Sequence, residues 1–448
     1  MIAFPIFPVF ITSTGKKMRK INEEFLHFLW KNQQLTGIQL TSPGVERIRV
    51  IDPGLHNHDA GPDFFNARVE IDGTLWAGNV ELHINASDWI RHGHPGDPAY
   101  NSVILHVVCF NDCEITRSDG EPIPAAMLRF PKVLWDTYDQ LMKSNRWIPC
   151  QDYLDSISPL QVAQWTSSLM VEKLRERSEM LSRNMEDLNG HWDAVLSRMI
   201  FRSFGLPVNT TPFEMLALTI PHAFLLRYRN DLFALESVLL GKAGMLDTAI
   251  AHDQYTESLR QEYQRHKNKL ETHAVPHHLW KYLRMRPSAF PSLRLAQLAS
   301  LIHARFPFLH HLLKQPGIDE LSALLRVRAG DYWNTHYQPG RESKSKPKFT
   351  GKAFIQTVII NALAPFAFFY GKSTGQQSLC DYATGLLEQL PPENNGILKK
   401  WSRFGIAGSN AFESQALLFL YRNYCCKQRC LECQFGNTVL LDPAMKST

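Results

Sequence analysis

The chain of 448 residues is long enough for two or three domains, and a composition that is 44% hydrophobic and 20% charged, with 26 Phe and 10 Trp, excludes an intrinsically disordered polymer. Eight cysteines in this length exclude a disulfide scaffold and fit a reducing compartment. The net charge of +5 excludes an overtly basic polyanion binder, but residues 1–150 sum to −3 and residues 151–448 to +8, so any nucleic-acid footprint is expected mainly in the later part.

The first twelve residues are apolar, yet no charge precedes them and prolines interrupt them, which argues against a secretory leader. Met18 opens the first convincing helix, so residues 1–18 read as an upstream extension. A helix is expected over 19–32, with Ile21, Phe25, Phe28 and Leu29 at helical spacing and Glu23 and Glu24 in the first turns. Three strands follow, over 45–52, 64–72 and 75–84, the last two joined by an Asp72-Gly73 hairpin turn. A His-, Gly- and Pro-rich link over 86–99 leads to an apolar strand over 102–110 that suits the middle of a sheet. From residue 151 the texture is helical, introduced by the Ser158-Pro159 start signal. Residues 336–350, with Lys344, Lys346 and Lys348, read as a mobile loop. The run Phe354 to Tyr370 holds Gln356, Asn361 and Pro365 and falls short of the ~20 residues that span a bilayer, so it reads as a buried helix and no membrane partner is expected. The expectation is an α+β, cytoplasmic protein: extension 1–18, α/β domain 19–150 and helical domain 151–448.

The densest chemical signal is GPDFFNARVEIDGTLWAGNVELH. Asp63 opens one strand of the hairpin, while Glu81 and His83 share a face of the next because side chains alternate along a strand. Two carboxylates can then converge, a donor set suited to Mg²⁺ or Mn²⁺. Pro62-Asp63 at the head of a strand, an acid-x-basic step at Glu81 and the order helix, three strands, link, strand resemble the PD-(D/E)XK nuclease superfamily, whose core is αβββαβ. That resemblance implies metal-dependent phosphodiester hydrolysis of nucleic acid. Asp63 and Glu81 would hold the metal with the Leu82 carbonyl, and Glu24 stands where some members carry a further acid. The chain departs from the pattern at His83, which occupies the lysine position.

Around this signal lie His92, His94, Asp97 and His106, read as pocket rim, with Asn57 in the turn-rich approach to Asp63. Two other classes compete. His92, His94 and Asp97, with His83, have the ligand types of a zinc hydrolase, and the His83 replacement favours a non-catalytic nucleic-acid or protein interaction module with a decayed core. In the plainer reading, Asp63 caps a turn and Glu81 pairs with Arg68 or Arg91.

Near the C-terminus, Cys425, Cys426, Cys430 and Cys433 have the spacing of a structural Zn²⁺ knot or an iron–sulfur site. Arg284, Arg286 and Arg294, interleaved with Tyr282 and Phe290, suit a phosphate backbone, although a helix corner explains them as well. Over its length, through GLHNHDAGPDF, GNVELH, RMRPSAFPSLRLAQLA and the terminal cysteines, the chain resembles an uncharacterised bacterial family, a domain of unknown function.

Overall fold

A computed structural model describes residues 21–32, 37–205, 207–246, 253–270 and 272–441; the expected extension and Met18 lie outside the described residues. The fold is α+β and divides into two compact units, residues 1–165 with 420–448, and residues 166–419. The cysteine-rich C-terminal segment therefore belongs to the first unit.

In the first unit α1 (Glu23–Lys31) starts where Asn22 accepts a hydrogen bond from the Phe25 amide, and Glu23 and Glu24 complement the positive end of the helix dipole. Its apolar face, Phe25, Leu26, Phe28, Leu29 and Trp30, is buried, each side chain contributing roughly 1.5–3 kcal/mol by removal from water. The strands are β1 (Gln39–Thr41), β2 (Ile48–Asp52), β3 (Leu55–His56), β4 (Phe64–Ile71) and β5 (Thr74–Asn85), then β6 (Val103–Phe110) and β7 (Ala125–Arg129) after the short helix α2 (Asp88–Arg91). They form one mixed sheet in the order β1-β7-β6-β5-β4-β2, with β3 paired to β4.

Strands β2, β4 and β5 form an antiparallel meander, and β6 returns parallel to β5. The Asp72-Gly73 turn closes the β4–β5 hairpin with both residues at positive φ, 44° and 81°, as a two-residue hairpin turn requires. Gly78 lets β6 approach β5 closely, since a Cβ there would stand 2.3 Å from Ile104 Cγ2 and 2.9 Å from the Ser102 carbonyl. The expected link over 86–99 is α2 followed by two 3-10 turns, His94–Gly96 and Pro98–Tyr100. The unit continues with α3 (Lys132–Lys143), and α4 (Pro159–Asp187) starts in it.

The second unit contains α5 (Trp192–Phe204), α6 (Thr210–Thr219), α7 (His222–Tyr228), α8 (Leu232–Lys242), α9 (Gln254–Lys267), α10 (Pro291–Arg305), α11 (Leu309–Leu312) and α12 (Ile318–Leu325). Residues 336–350, expected as a loop, instead carry a two-stranded ribbon, β8 (His336–Gln338) and β9 (Arg341–Glu342). Lys348 is buried there, donating to the Asn334 carbonyl at 2.7 Å with its ammonium over the Tyr337 ring. The apolar run is longer than its sequence indicates: α13 (Lys352–Val358) and α14 (Ala364–Thr374) join through a π turn. By length and composition alone this Lys352–Thr374 helix could cross a membrane, but 61% of its most apolar window is buried within the protein, as in a core helix. Helices α15 (Gln377–Gln389), α16 (Gly396–Arg403) and α17 (Ala411–Leu420) complete the unit, and α18 (Gln434–Leu441) follows in the first.

Glu236 of α8 is fully buried and accepts hydrogen bonds from the Tyr255 hydroxyl and the Trp333 indole. Burial pushes its carboxyl up to about 7. A carboxyl raised in the folded state contributes stability that is complete below its ordinary value of 4.5 and is lost as pH rises through about 7. Glu236→Gln keeps the acceptor and removes the titration. Denaturant unfolding of both proteins should show the variant gaining on the wild type by about 3 kcal/mol between pH 4.5 and pH 8. A constant difference across that range refutes the assignment.

Candidate metal centre

The hairpin register places Phe64 opposite Val80, so Asp63 enters the sheet beside Glu81. Each acid is then held by the other's strand: the Asp63 amide donates to Glu81 Oε2 at 3.0 Å, and the Leu82 amide donates to Asp63 Oδ2 at 2.9 Å. Asn57 builds the approach. Its side-chain amide donates to the carbonyls of Asp59, Ala60 and Pro62, and its backbone amide donates to the Asp63 carbonyl at 2.8 Å. Arg68 pairs with Asp52 and Arg91 with Asp88, so the arginines that could neutralise Glu81 are engaged elsewhere.

Histidines surround the pair of acids. On the parallel pair β5–β6, His106 lies in register with Glu81, and His83 Nδ1 is 2.8 Å from His106 Nε2. The other nitrogen, His83 Nε2, is 3.0 Å from His92 Nδ1 and 3.6 Å from Glu81 Oε1. His94 Nε2 is 3.3 Å from the same carboxylate oxygen, and its ring is stacked on Tyr100 with centroids 3.8 Å apart. Among the described residues, His83, His92 and His94 are the one set of three His, Cys, Asp or Glu whose ligand atoms all lie within 4.8 Å of one another. His83, His94 and His106 are buried, while His92 is exposed and forms the open side.

The titration directions follow from this crowding. Burial, reinforced by the neighbouring imidazoles, holds His83 down to about 3; His106 is likewise held to about 3 by burial and His94. Both are therefore neutral. Burial pushes Glu81 up, the Asp63 charge adds to it, and the His94 contact opposes it. Burial also acts upward on Asp63, but the His27 interaction, the Leu82 amide and His83 outweigh it and carry Asp63 below the ordinary carboxylate range.

Neutral imidazole is the ligand form of histidine, and a ligating ring usually donates its other N–H to a neighbour, the role His106 can play for His83. His94 Nε2 is buried without a hydrogen-bond partner. Three imidazoles with ligand atoms within 4.8 Å of one another, and a carboxylate oxygen 3.3 Å from His94 and 3.6 Å from His83, fit a divalent ion that accepts nitrogen, such as Zn²⁺, better than they fit Mg²⁺. His83, His92, His94 and Glu81 would hold it.

The other residues singled out in the sequence are placed as follows. Asp97 is exposed and accepts from the Ala99 amide, capping the second 3-10 turn. Glu24 is exposed on α1; its neighbour Glu23 is the half-buried acid that senses His92, Asp63 and His27, and burial raises it. In the second unit Arg284 and Arg286 are exposed, while Arg294 lies over the Phe354 ring at 3.5 Å and donates to Gln297. The structure adds His27, whose Nε2 is 3.2 Å from Asp63 Oδ2, and His56, stacked on Phe64. Glu23 and His27, four residues apart on α1, are the only sign of this in the sequence.

Fold and site define an α+β protein with a largely buried group of carboxylates and imidazoles on the central strands of a mixed sheet. The chain belongs to the DUF2851 family of proteins of unknown function, whose profile matches residues 23–396. No curated protein and no solved structure matches it.

If the imidazoles form the ion site, calorimetric titration with Zn²⁺ should give about one site per chain, weakened at least tenfold by His94→Ala or Glu81→Gln. His106→Ala should weaken it roughly 10–100-fold without touching the ion, because it releases the His83 ring. Unchanged binding in all three variants discards the centre.

Proposed function

We propose that the protein is a metal-dependent hydrolase of phosphodiesters in nucleic acid, acting at the cleft of Asp63, Glu81 and the three histidines. The observation that carries the reading is that Asp63, just before β4, and Glu81 on β5 are bonded reciprocally beside three imidazoles whose ligand atoms lie within 4.8 Å of one another. The strand placement of Asp63 and Glu81 supports the nuclease-like alternative among hydrolases; the imidazoles at His83, His92 and His94 support a nitrogen-liking ion over Mg²⁺. A bound divalent ion would supply Lewis-acid polarisation of the phosphoryl group and an acidified water.

The chain's own residues have distinct tasks in this scheme. Buried and neutral, His83 cannot replace lysine as a cation and serves as a ligand, with His106 fixing its ring. His27 and Asp63 form a dyad whose side chains are 18% and 22% exposed, accessible to substrate and water. With Asp63 on its Nε2, His27 presents Nδ1 for proton exchange with the attacking water or the leaving oxygen. Tyr100 and Trp89, against His94, exclude water from the far side of the imidazoles.

A second reading, a non-catalytic binding module, draws on the two imidazole partners of His83, which satisfy both its nitrogens without an ion. Purified protein with Zn²⁺, Mn²⁺ or Mg²⁺ and single- and double-stranded DNA and RNA separates the two. The hydrolase reading expects cleavage that falls at least about 100-fold in His27→Ala and Asp63→Asn, with ion binding retained in His27→Ala. Nucleic acid bound but never cut favours the binding module, and cleavage that survives both substitutions removes the cleft from the chemistry.

A further inference from the structure

The C-terminal segment of the first unit carries a separate constellation. Beyond α17 the backbone runs through a π turn, Tyr421–Cys425, and a 3-10 turn, Cys430–Glu432, into α18. These turns gather Cys425, Cys430 and Cys433, and Cys150, which precedes α4, joins them from a distant part of the chain. The Trp147 ring stacks on Tyr421 at 5.1 Å and the Trp165 ring meets Tyr424 edge-on at 5.5 Å, which sets the segment around Cys150 against these turns. The thiols of Cys150 and Cys425 neighbour those of Cys430 and Cys433. Cys150, Cys430 and Cys433 are buried, and all four are free thiols. Cys426, counted with this group on sequence spacing, is instead exposed and meets the Tyr421 side chain. The fourth member of the buried group is Cys150.

This is more than a pocket of core cysteines. The Trp165 indole nitrogen is buried without a hydrogen-bond partner and lies near the Cys433 sulfur, as do the backbone amides of Phe435 and Gly436. Converging N–H donors stabilise a thiolate, whereas a neutral thiol is a weak acceptor. The turn is closed as far as backbone allows, because a Cβ at Gly436 would stand 2.1 Å from the Cys430 carbonyl oxygen.

Ligand spacing selects the cation. Cys425-x4-Cys430-x2-Cys433 with a remote fourth cysteine is an iron–sulfur spacing. The run holds one tight CxxC and no second such pair, whereas a zinc knot typically joins two. We propose that Cys150, Cys425, Cys430 and Cys433 ligate an iron–sulfur cluster that ties the C-terminal segment to the α/β unit.

The test is anaerobic purification of the full chain with measurement of iron, zinc, acid-labile sulfide and visible absorption. The proposal expects iron and sulfide in roughly equal amounts, about two to four per chain, with a visible band bleached by dithionite. Sulfide separates this centre from an ion on the histidines. Cys150→Ser and Cys433→Ser should lose most of the iron and the band, and Cys426→Ser should keep both. Zinc in place of iron and sulfide, or neither metal in the wild type, overturns the cluster without reference to any variant. Retention of the full band in Cys150→Ser overturns the ligand set.

Discussion

The reciprocal exchange between Asp63 and Glu81 holds the cleft together. Each carboxylate accepts the backbone amide at or beside the other's position, so neither can swing out without leaving a peptide N–H unsatisfied in a largely buried place. Two acids near each other inside a protein repel and lose hydration; amide donors, with His27 on one and His94 beside the other, offset part of that cost. Because the exchange spans β4 and β5, the hairpin turn at Asp72-Gly73 and the close approach at Gly78 bear directly on the geometry of the acids.

Around that pair the protein uses imidazole where a charged amine would be hard to keep. A lysine at position 83 would be almost fully buried and next to three further rings, an environment that disfavours a cation. Histidine avoids the penalty by staying neutral, and neutrality makes its nitrogen available as a ligand. The chain His106, His83, His92 runs from the buried interior of β6 to the exposed mouth, so the ring nearest solvent is positioned by rings that are not. At the opposite side α1 supplies Glu23 and His27 from successive turns of one face, which makes the first helix part of the site as well as part of the core.

The two units handle buried polar groups by the same rule. In the second, Glu236 is enclosed with two donors, Lys348 finds the Asn334 carbonyl, and Arg294 is laid over an aromatic ring, so each group that left water gained a partner. In the first, the Asp63 and Glu81 carboxylates each accept a backbone amide.

Local sequence alone determined the first helix, the three strands of the meander, the Asp72-Gly73 hairpin, the buried strand β6 and the helical character of the later chain, because periodicity, turn residues and capping are short-range properties. It also put Asp63 within a residue of Glu81 and set His83 on the same face as Glu81, while a bulge between Phe64 and Ala67 shifts the hairpin register by one and so sets Phe64 opposite Val80. The short strands β1, β3 and β7 carry too few residues for a pattern, and the ribbon at 336–342 is hidden by a loop-like composition. Tertiary structure alone set Glu23 rather than its neighbour Glu24 near His92 and Asp63, brought His27 from α1 to Asp63, turned Asp97 into a cap, and left Cys426 exposed while burying Cys150. Those choices depend on which face of a helix or turn meets the sheet and on contacts between residues far apart in the chain, and spacing along a sequence carries neither.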